Sequence, residues 1–234
     1  MLTDNDVIKD FFGNDLSVRY GPFAGMKYIN KSLGSQLLPK ILGSYEEPIQ
    51  HWISEAITKN YSKLIDIGCA EGFYAVGVAY RMADIEIHAF DIDEMARNAC
   101  YELAIRNKVV NRIKLKGECT HEELDNIVDK NTLIICDVEG AEKNLLSLKK
   151  SASLIKSDLI IETHDFIEAG ITDSLINEFY NTHRIEMIVD YPRSTKKYPI
   201  LNNYHYPHKV LDELRPSGMR WLRLTSLSNA NPLI

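Results

Sequence analysis

Cysteine is scarce in this chain, and its thiols are never paired at short spacing. Cys69, Cys100, Cys119 and Cys136 are the four thiols in 234 residues, with no C-x-x-C among them. That pattern speaks for reduced thiols and against a disulfide frame or a zinc site. A basic excess is also missing. The net charge of −6 argues against a generic nucleic-acid or anionic-membrane surface, which needs a basic face. No apolar run approaches the length that spans a bilayer. The N-terminal MLTDNDVIKDFFGND is acidic and has neither a basic start nor an apolar stretch, so no secretory signal is expected. Two nucleotide signatures are absent as well: no glycines spaced i, i+2, i+5, and no Gly-Lys-Ser/Thr to hold a triphosphate. A soluble, cytoplasmic protein with one sizeable core, binding neither nucleic acid nor membrane, is the expectation.

What is present centres on Lys63 to Tyr74, KLIDIGCAEGFY. Apolar Leu64 to Ile67, carrying Asp66, run into small residues at Gly68, Ala70 and Gly72, and then into an alanine- and valine-rich stretch. Strand, tight turn and helix make the first βα unit of a nucleotide-binding sheet. Bulky Phe73 stands where a dinucleotide site needs its third glycine. The spacing resembles motif I of class I S-adenosylmethionine-dependent methyltransferases, with Ala70 in place of one glycine.

Before that unit lies an extension of about sixty residues, read as helical and lid-like. It holds a short helix near Val7–Phe12 and an amphipathic one over Pro48–Lys59, with Glu46 and Glu47 at its positive end. After it, strands and helices alternate. Strands are predicted at Ile85–Asp91, Arg112–Lys116, Thr132–Asp137, Asp158–Glu162, Arg184–Val189 and Trp221–Thr225. Helices are predicted at Glu94–Asn107 with Asp93 as N-cap, from Thr120 to Val128, at Ala141–Lys150, and near Thr172–Asn181. The fold class is therefore α/β: a Rossmann-like, mainly parallel seven-stranded sheet with helices on both faces, spanning residues 61–234 behind the 1–60 extension. One closing strand should be antiparallel, as in methyltransferases of this class. The basic, aromatic insert at 190–218 reads as an irregular loop over the active edge. Its Arg193, Lys196 and Lys197 suit a sugar or phosphorylated acceptor, or else it is a plain surface connection.

In such a sheet the ligand lies beyond the carboxyl ends of the strands. The motif I resemblance therefore implies that Asp66 and the backbone of Gly68, Cys69, Ala70, Glu71 and Gly72 face the methionyl end of S-adenosylmethionine. Asp91, ending the second strand, takes the ribose hydroxyls beside Ile92. Glu118 and Cys119 meet the adenine, unless Glu118 is only part of an exposed loop. The stretch Asp137-Val-Glu-Gly-Ala-Glu142, with Gly43-Ser-Tyr-Glu46 upstream and Ile160-Ile-Glu-Thr-His164 downstream, resembles the FkbM-type methyltransferases over roughly residues 20–165. That resemblance implies O-methylation of a hydroxylated small molecule. It also implies that Tyr45 or Glu46 approaches the cofactor and that Asp137 lies by the transferring methyl. Candidate catalytic residues are His164, Asp137 and Glu139. Activation of the hydroxyl would come from a neutral His164 as base, or from magnesium or manganese held by Asp137, Glu162 and His164. Asp165 belongs to the same group of strand ends. The alternatives are a nucleoside-binding protein without turnover, a methyltransferase of RNA or protein, and a dehydrogenase. The charge balance and the lack of a D/N-P-P-Y motif weigh against RNA, and Phe73 against a dehydrogenase.

Overall fold

The computed structural model describes residues 3–13 and 15–229. The outermost residues of the expected extension and core, and Asn14, lie outside the described residues. Helices α1 (Asp4–Phe12), α2 (Leu37–Leu42) and α3 (Gln50–Thr58) precede the first strand. Then follow β1 (Lys63–Ile67), α4 (Phe73–Arg81), β2 (Glu86–Phe90), α5 (Glu94–Arg106), β3 (Ile113–Lys116), α6 (His121–Ile127) and β4 (Thr132–Cys136). The remainder is α7 (Glu142–Leu145), β5 (Asp158–Thr163), α8 (Ile171–Phe179), β6 (His183–Val189), α9 (Pro207–Leu211) and β7 (Arg220–Ser226). The seven strands form one sheet in the order β3-β2-β1-β4-β5-β7-β6. Strands β1 to β5 pair in parallel, and β7 lies antiparallel to both β5 and β6. The sheet is thus mixed, with the antiparallel element at one side.

Both faces of the sheet are covered at its centre, which is why β4 and β5 are buried at every position, whereas the edge strands β3 and β6 are not. Leu64, Ile87, Leu133, Ile135, Ile160 and Trp221 pack on one face, with the buried residues of α4, α5 and the N-terminal extension. Ile65, Ile67, Phe90, Ile134, Cys136, Leu159 and Ile161 fill the other, with α6 and α8. The extension shares this core: Val7, Phe12, Phe23, Tyr28 and Trp52 all belong to the first cluster.

Three local expectations change. The helix expected over Ala141–Lys150 is a single turn, because the Glu178 carboxylate accepts from the Leu148 N–H at 2.7 Å and draws that amide out of helical pairing. The 190–218 insert is not wholly irregular. It carries α9, with Pro207 in its first turn, where a missing N–H costs nothing. Val210, Leu211, Tyr198 and Leu201 bury against the core, and Tyr204 stacks on Phe11. The spacing of Thr120 and Glu123 predicts a capping box for α6; Thr120 does accept from the Glu123 N–H, yet Glu123 turns to Lys116 at 2.7 Å and leaves the reciprocal half unmade.

Candidate functional site

At the carboxyl ends of β1, β2, β3 and β4 a cavity of about 700 Å³ opens. Its floor is the turn after β1. Gly68 has φ +80°, and a Cβ there would lie 1.7 Å from the Asp137 carbonyl oxygen. Gly68→Ala therefore forces the β1 and β4 ends apart. We expect a loss of about 2–3 kcal/mol or more, read as a Tm lower by roughly 5–10 °C. An unchanged Tm would show that this close approach carries no strain. Ala70, the departure from the glycine pattern, sits in the left-handed region at φ +47° and donates its N–H to Asp91 at 2.9 Å. Glu46 and Glu139 are left-handed too, so three of the five strained non-glycine residues described lie around this site.

The predicted residues divide in two. Tyr45, Asp66, Gly68, Cys69, Ala70, Asp91, Ile92, Glu118, Cys119, Asp137 and Glu139 all line the cavity. The Asp91 carboxylate, at the tip of β2, also accepts from the Asp93 N–H at 2.8 Å, so it is held in place from two sides. Asp66 accepts from the Ala75 N–H at 2.9 Å, but its burial dominates and pushes its pKa up to about 8.

The others turn away. Glu71, expected at the ligand, is buried behind the turn. It pairs with Lys40 and accepts from the Tyr28 hydroxyl, the Ser32 hydroxyl and the Leu33 N–H. It thereby ties down the strap Leu33–Ser35, which lines the cavity in its stead. Gly72 is a packing position: a Cβ there would lie 2.6 Å from the Cys100 sulfur. Glu46 and Glu47 are not solvated acids at a helix end. Glu46 pairs with Arg215 and accepts from the Tyr74 hydroxyl, while Glu47 takes Tyr198 and Lys197. Arg193 is committed to Asp190 and Glu213, so of the three expected acceptor-binding cations only Lys196 stays exposed with no charge partner shown. Asp165 is drawn off by Thr172 and Arg220.

His164 stands behind the cavity wall, 3% exposed. Its Nε2 lies 3.4 Å from Asp137, 3.5 Å from Glu139 and 3.9 Å from Glu162, and its Nδ1 meets Glu142. Burial alone would lower its pKa. The Glu142 hydrogen bond and the charges of Asp137, Glu142 and Glu139 outweigh that and raise it above the ordinary imidazole value, which favours the protonated ring. The expectation of a neutral histidine base meets this obstacle. Asp137 is the better-placed group. Burial, and then the Glu46 charge, push its pKa up to about 7 against the pull of His164 and Arg215. Its side chain is 35% exposed, toward the cavity, so excluding water from the cavity would raise it further.

The structure does bring Asp137, Glu162 and His164 together as expected, but Glu162 already holds a cation, the Arg215 guanidinium. Neither Arg215 nor Lys40 shows itself in the pattern of the sequence. One trace of Lys40 exists: it is the lone charge in the apolar run LLPKIL, and a lone charge that must be buried calls for a partner.

Comparison with known proteins agrees with this architecture. Residues 51–185 match the family model described as ribosomal protein L11 methyltransferase (PrmA). A tRNA1(Val) (adenine(37)-N6)-methyltransferase of Flavobacterium psychrophilum is 27% identical over 159 residues, covering 66% of this chain and 64% of that protein's length. A putative O-methyltransferase of Klebsiella pneumoniae superposes with a TM-score of 0.54 at 12% identity, over 77% of this chain and 80% of that one. The O-methyltransferase TomG of Streptomyces achromogenes, solved with S-adenosylmethionine, gives 0.53 at 10% identity, over 78% and 80%. Likeness at such identities speaks for the fold alone. The family match, by contrast, spans more than half of the chain and falls on the strands and turns that build the cavity; the chain belongs to the PrmA family, within the class I S-adenosylmethionine-dependent methyltransferases.

Proposed function

We propose that this protein transfers the methyl group of S-adenosylmethionine to a hydroxyl of a small molecule. The observation that carries the reading is Asp137, a carboxylate at the end of β4 that faces the cavity with its pKa raised to about 7. A general base works best when its pKa lies near the working pH. When bound, the cofactor supplies an electrophilic methyl on a sulfonium. The residues that would hold it fit that role. Asp91 suits the ribose hydroxyls, Ile92, Glu118 and Cys119 the base, and Asp66 with the Gly68–Ala70 backbone the methionyl end. Asp66, its pKa raised to about 8 by burial, would ionise readily beside an incoming ammonium. Asp137 would take the proton of the acceptor hydroxyl, and the bound cofactor would supply the methyl group to that oxygen. His164, 3.4 Å behind it, favours the ionised form of Asp137 before the proton is taken.

The D-V-E-G-A-E stretch supports the FkbM-type reading and hence a hydroxyl acceptor. The tRNA-modifying relative raises an RNA base as the rival. Against it stand the charge of −6 and the sequence after β4, Asp137-Val-Glu-Gly, in place of an amino-methylating D/N-P-P-Y. Calorimetry with S-adenosylhomocysteine and with NAD separates the cofactor classes. Transfer of labelled methyl to a panel of hydroxylated compounds, and to unmodified tRNA, then separates the acceptors. Labelling of the tRNA alone would overturn the proposal, as would failure to bind S-adenosylhomocysteine.

Asp91 gives a sharper check. Asp91→Ala removes two charge-assisted ribose contacts, each worth about 1.5–3 kcal/mol, and frees the Ala70 N–H as well. Affinity for S-adenosylhomocysteine should fall at least about tenfold, since 1.4 kcal/mol already makes that factor. A folded variant of unchanged affinity would reject the ribose assignment.

A further inference from the structure

Behind the transfer end of the cavity, three carboxylates from distant parts of the chain meet. Glu46 comes from the extension, Asp137 from the end of β4 and Glu162 from β5, and one oxygen of each lies within 4.8 Å of the others. Glu162 is buried, and its Oε2 has no hydrogen-bond partner among the described residues. Three acidic oxygens so close repel one another unless a cation joins them, and hard divalent ions favour such oxygen sets. Here a side-chain cation holds two of the three, Glu46 and Glu162, and acts on Asp137 only through its charge. Arg215, from the insert, donates to Glu46 at 2.6 Å, to Glu213 at 2.8 Å and to Glu162. Its guanidinium lies over the rings of Tyr45 and Trp221, 5.1 and 5.2 Å from their centres. Arg193 backs it by pairing with Glu213 at 2.7 Å.

We infer that Arg215 is a resident cation standing where the Glu46–Asp137–Glu162 set would otherwise take a divalent ion, and that it thereby fixes the wall behind the reacting group. It is a positioning residue: it acts through Glu46, Glu162 and Tyr45, and of these Tyr45 lines the cavity. The purpose of that wall rests on the methyl-transfer reading, but cation binding can be tested without it.

The test is manganese titration, followed by electron paramagnetic resonance at fixed ionic strength, on the wild type and on Arg215→Ala. The variant should bind one Mn²⁺ at least tenfold more tightly than the wild type, and Mg²⁺ should compete. Arg215→Lys keeps the charge and should bind no better than the wild type. Adding Glu162→Gln to Arg215→Ala should abolish the gain. The inference falls if Arg215→Ala binds Mn²⁺ no better than the wild type, or if Arg215→Lys binds as tightly as Arg215→Ala. Should Arg215→Ala not fold alone, it is refolded with Mn²⁺ or with sodium chloride of equal ionic strength. Recovery with Mn²⁺ alone supports the inference, and recovery with neither overturns it. Wild-type affinity for S-adenosylhomocysteine, measured in parallel, reports on the methyl-transfer reading separately. Loss of that reading leaves the manganese result standing.

Discussion

Asp137→Asn should slow methyl transfer by roughly 10²–10⁴, the usual contribution of a positioned base, while affinity for S-adenosylhomocysteine changes little. The amide has the shape of the carboxylate but cannot take the acceptor's proton. Only the ionised carboxylate is active, and its pKa is raised to about 7 by burial first and by Glu46 second. The sign follows: wild-type turnover should be full above that pH and fall as the pH drops through it. In Asp137→Asn this acid limb should vanish along with most of the rate. Stability should move the other way. Burial disfavours the charge on Asp137, and its Oδ1 has no hydrogen-bond partner among the described residues, so the amide variant should melt no lower than the wild type at pH 8. Single-turnover transfer to the acceptor identified by the panel, measured from pH 5.5 to 9, tests the chemistry. A rate within a few-fold of wild type at pH 8 would remove Asp137 from the role of base.

Lys40→Met should be the most destabilising of the substitutions considered. Lys40 and Glu71 form an ion pair with side chains 2% and 0% exposed. Glu71 is further satisfied by the Tyr28 hydroxyl at 2.6 Å and by Ser32 and the Leu33 N–H, each at 3.0 Å. Breaking a buried pair from one side strands a charge and costs about 3–5 kcal/mol. For a chain of this size that is a Tm lower by roughly 6–20 °C. Burial pushes the Glu71 pKa up, but Lys40 and the hydrogen bonds from Tyr28 and the Leu33 N–H outweigh it and hold the carboxyl below its ordinary value. A depressed carboxylate contributes stability above its unfolded pKa and loses it as pH falls through the folded one. Without Lys40 the balance reverses, and Glu71 prefers its proton. The deficit of Lys40→Met should therefore be largest near neutrality and shrink toward pH 4, and Glu71→Gln in the same chain should recover part of it. A pH-independent deficit would mean that lost packing, not the stranded charge, is responsible. Because Glu71 anchors the strap Leu33–Ser35 on the cavity, the variant should also bind S-adenosylhomocysteine more weakly.

The two predictions concern residues of opposite legibility. Asp137 stands in a stretch that marks itself: an apolar strand, an acid at its end, a glycine that lets the chain turn away. Asp66 and Asp91 follow the same logic. Strand periodicity is local, and a parallel sheet gathers the carboxyl ends of its strands on one side, so an acid at a strand end reaches the cavity wherever the strand lies in the sequence. The lining of the cavity was largely readable for that reason.

Glu71 shows where this logic stops. It lies inside the glycine turn, directly after Cys69 and Ala70, which do line the cavity, yet its side chain points to the other side. Backbone spacing says that the turn exists but not which way each side chain leaves it. The direction is decided by Lys40, thirty-one positions earlier. Glu46 and Glu162 meet Arg215 across 169 and 53 positions, and the insert that carries Arg215 has no periodic pattern to place it. The histidine is a related case. His164 was identifiable as a strand-end residue, but its protonation depends on Glu142, Asp137 and Glu139 packed around it.

By itself the sequence determined the seven-stranded α/β fold, the turn at the floor of the cavity, and the acids that edge it, because hydrophobic period, turn chemistry and strand ends are properties of short neighbouring stretches. Only the tertiary structure decided which carboxylates remain free to act and which are already held by Lys40, Arg215 or a tyrosine. Buried charges settle on partners according to distance and desolvation in three dimensions, and sequence separation carries no record of that distance.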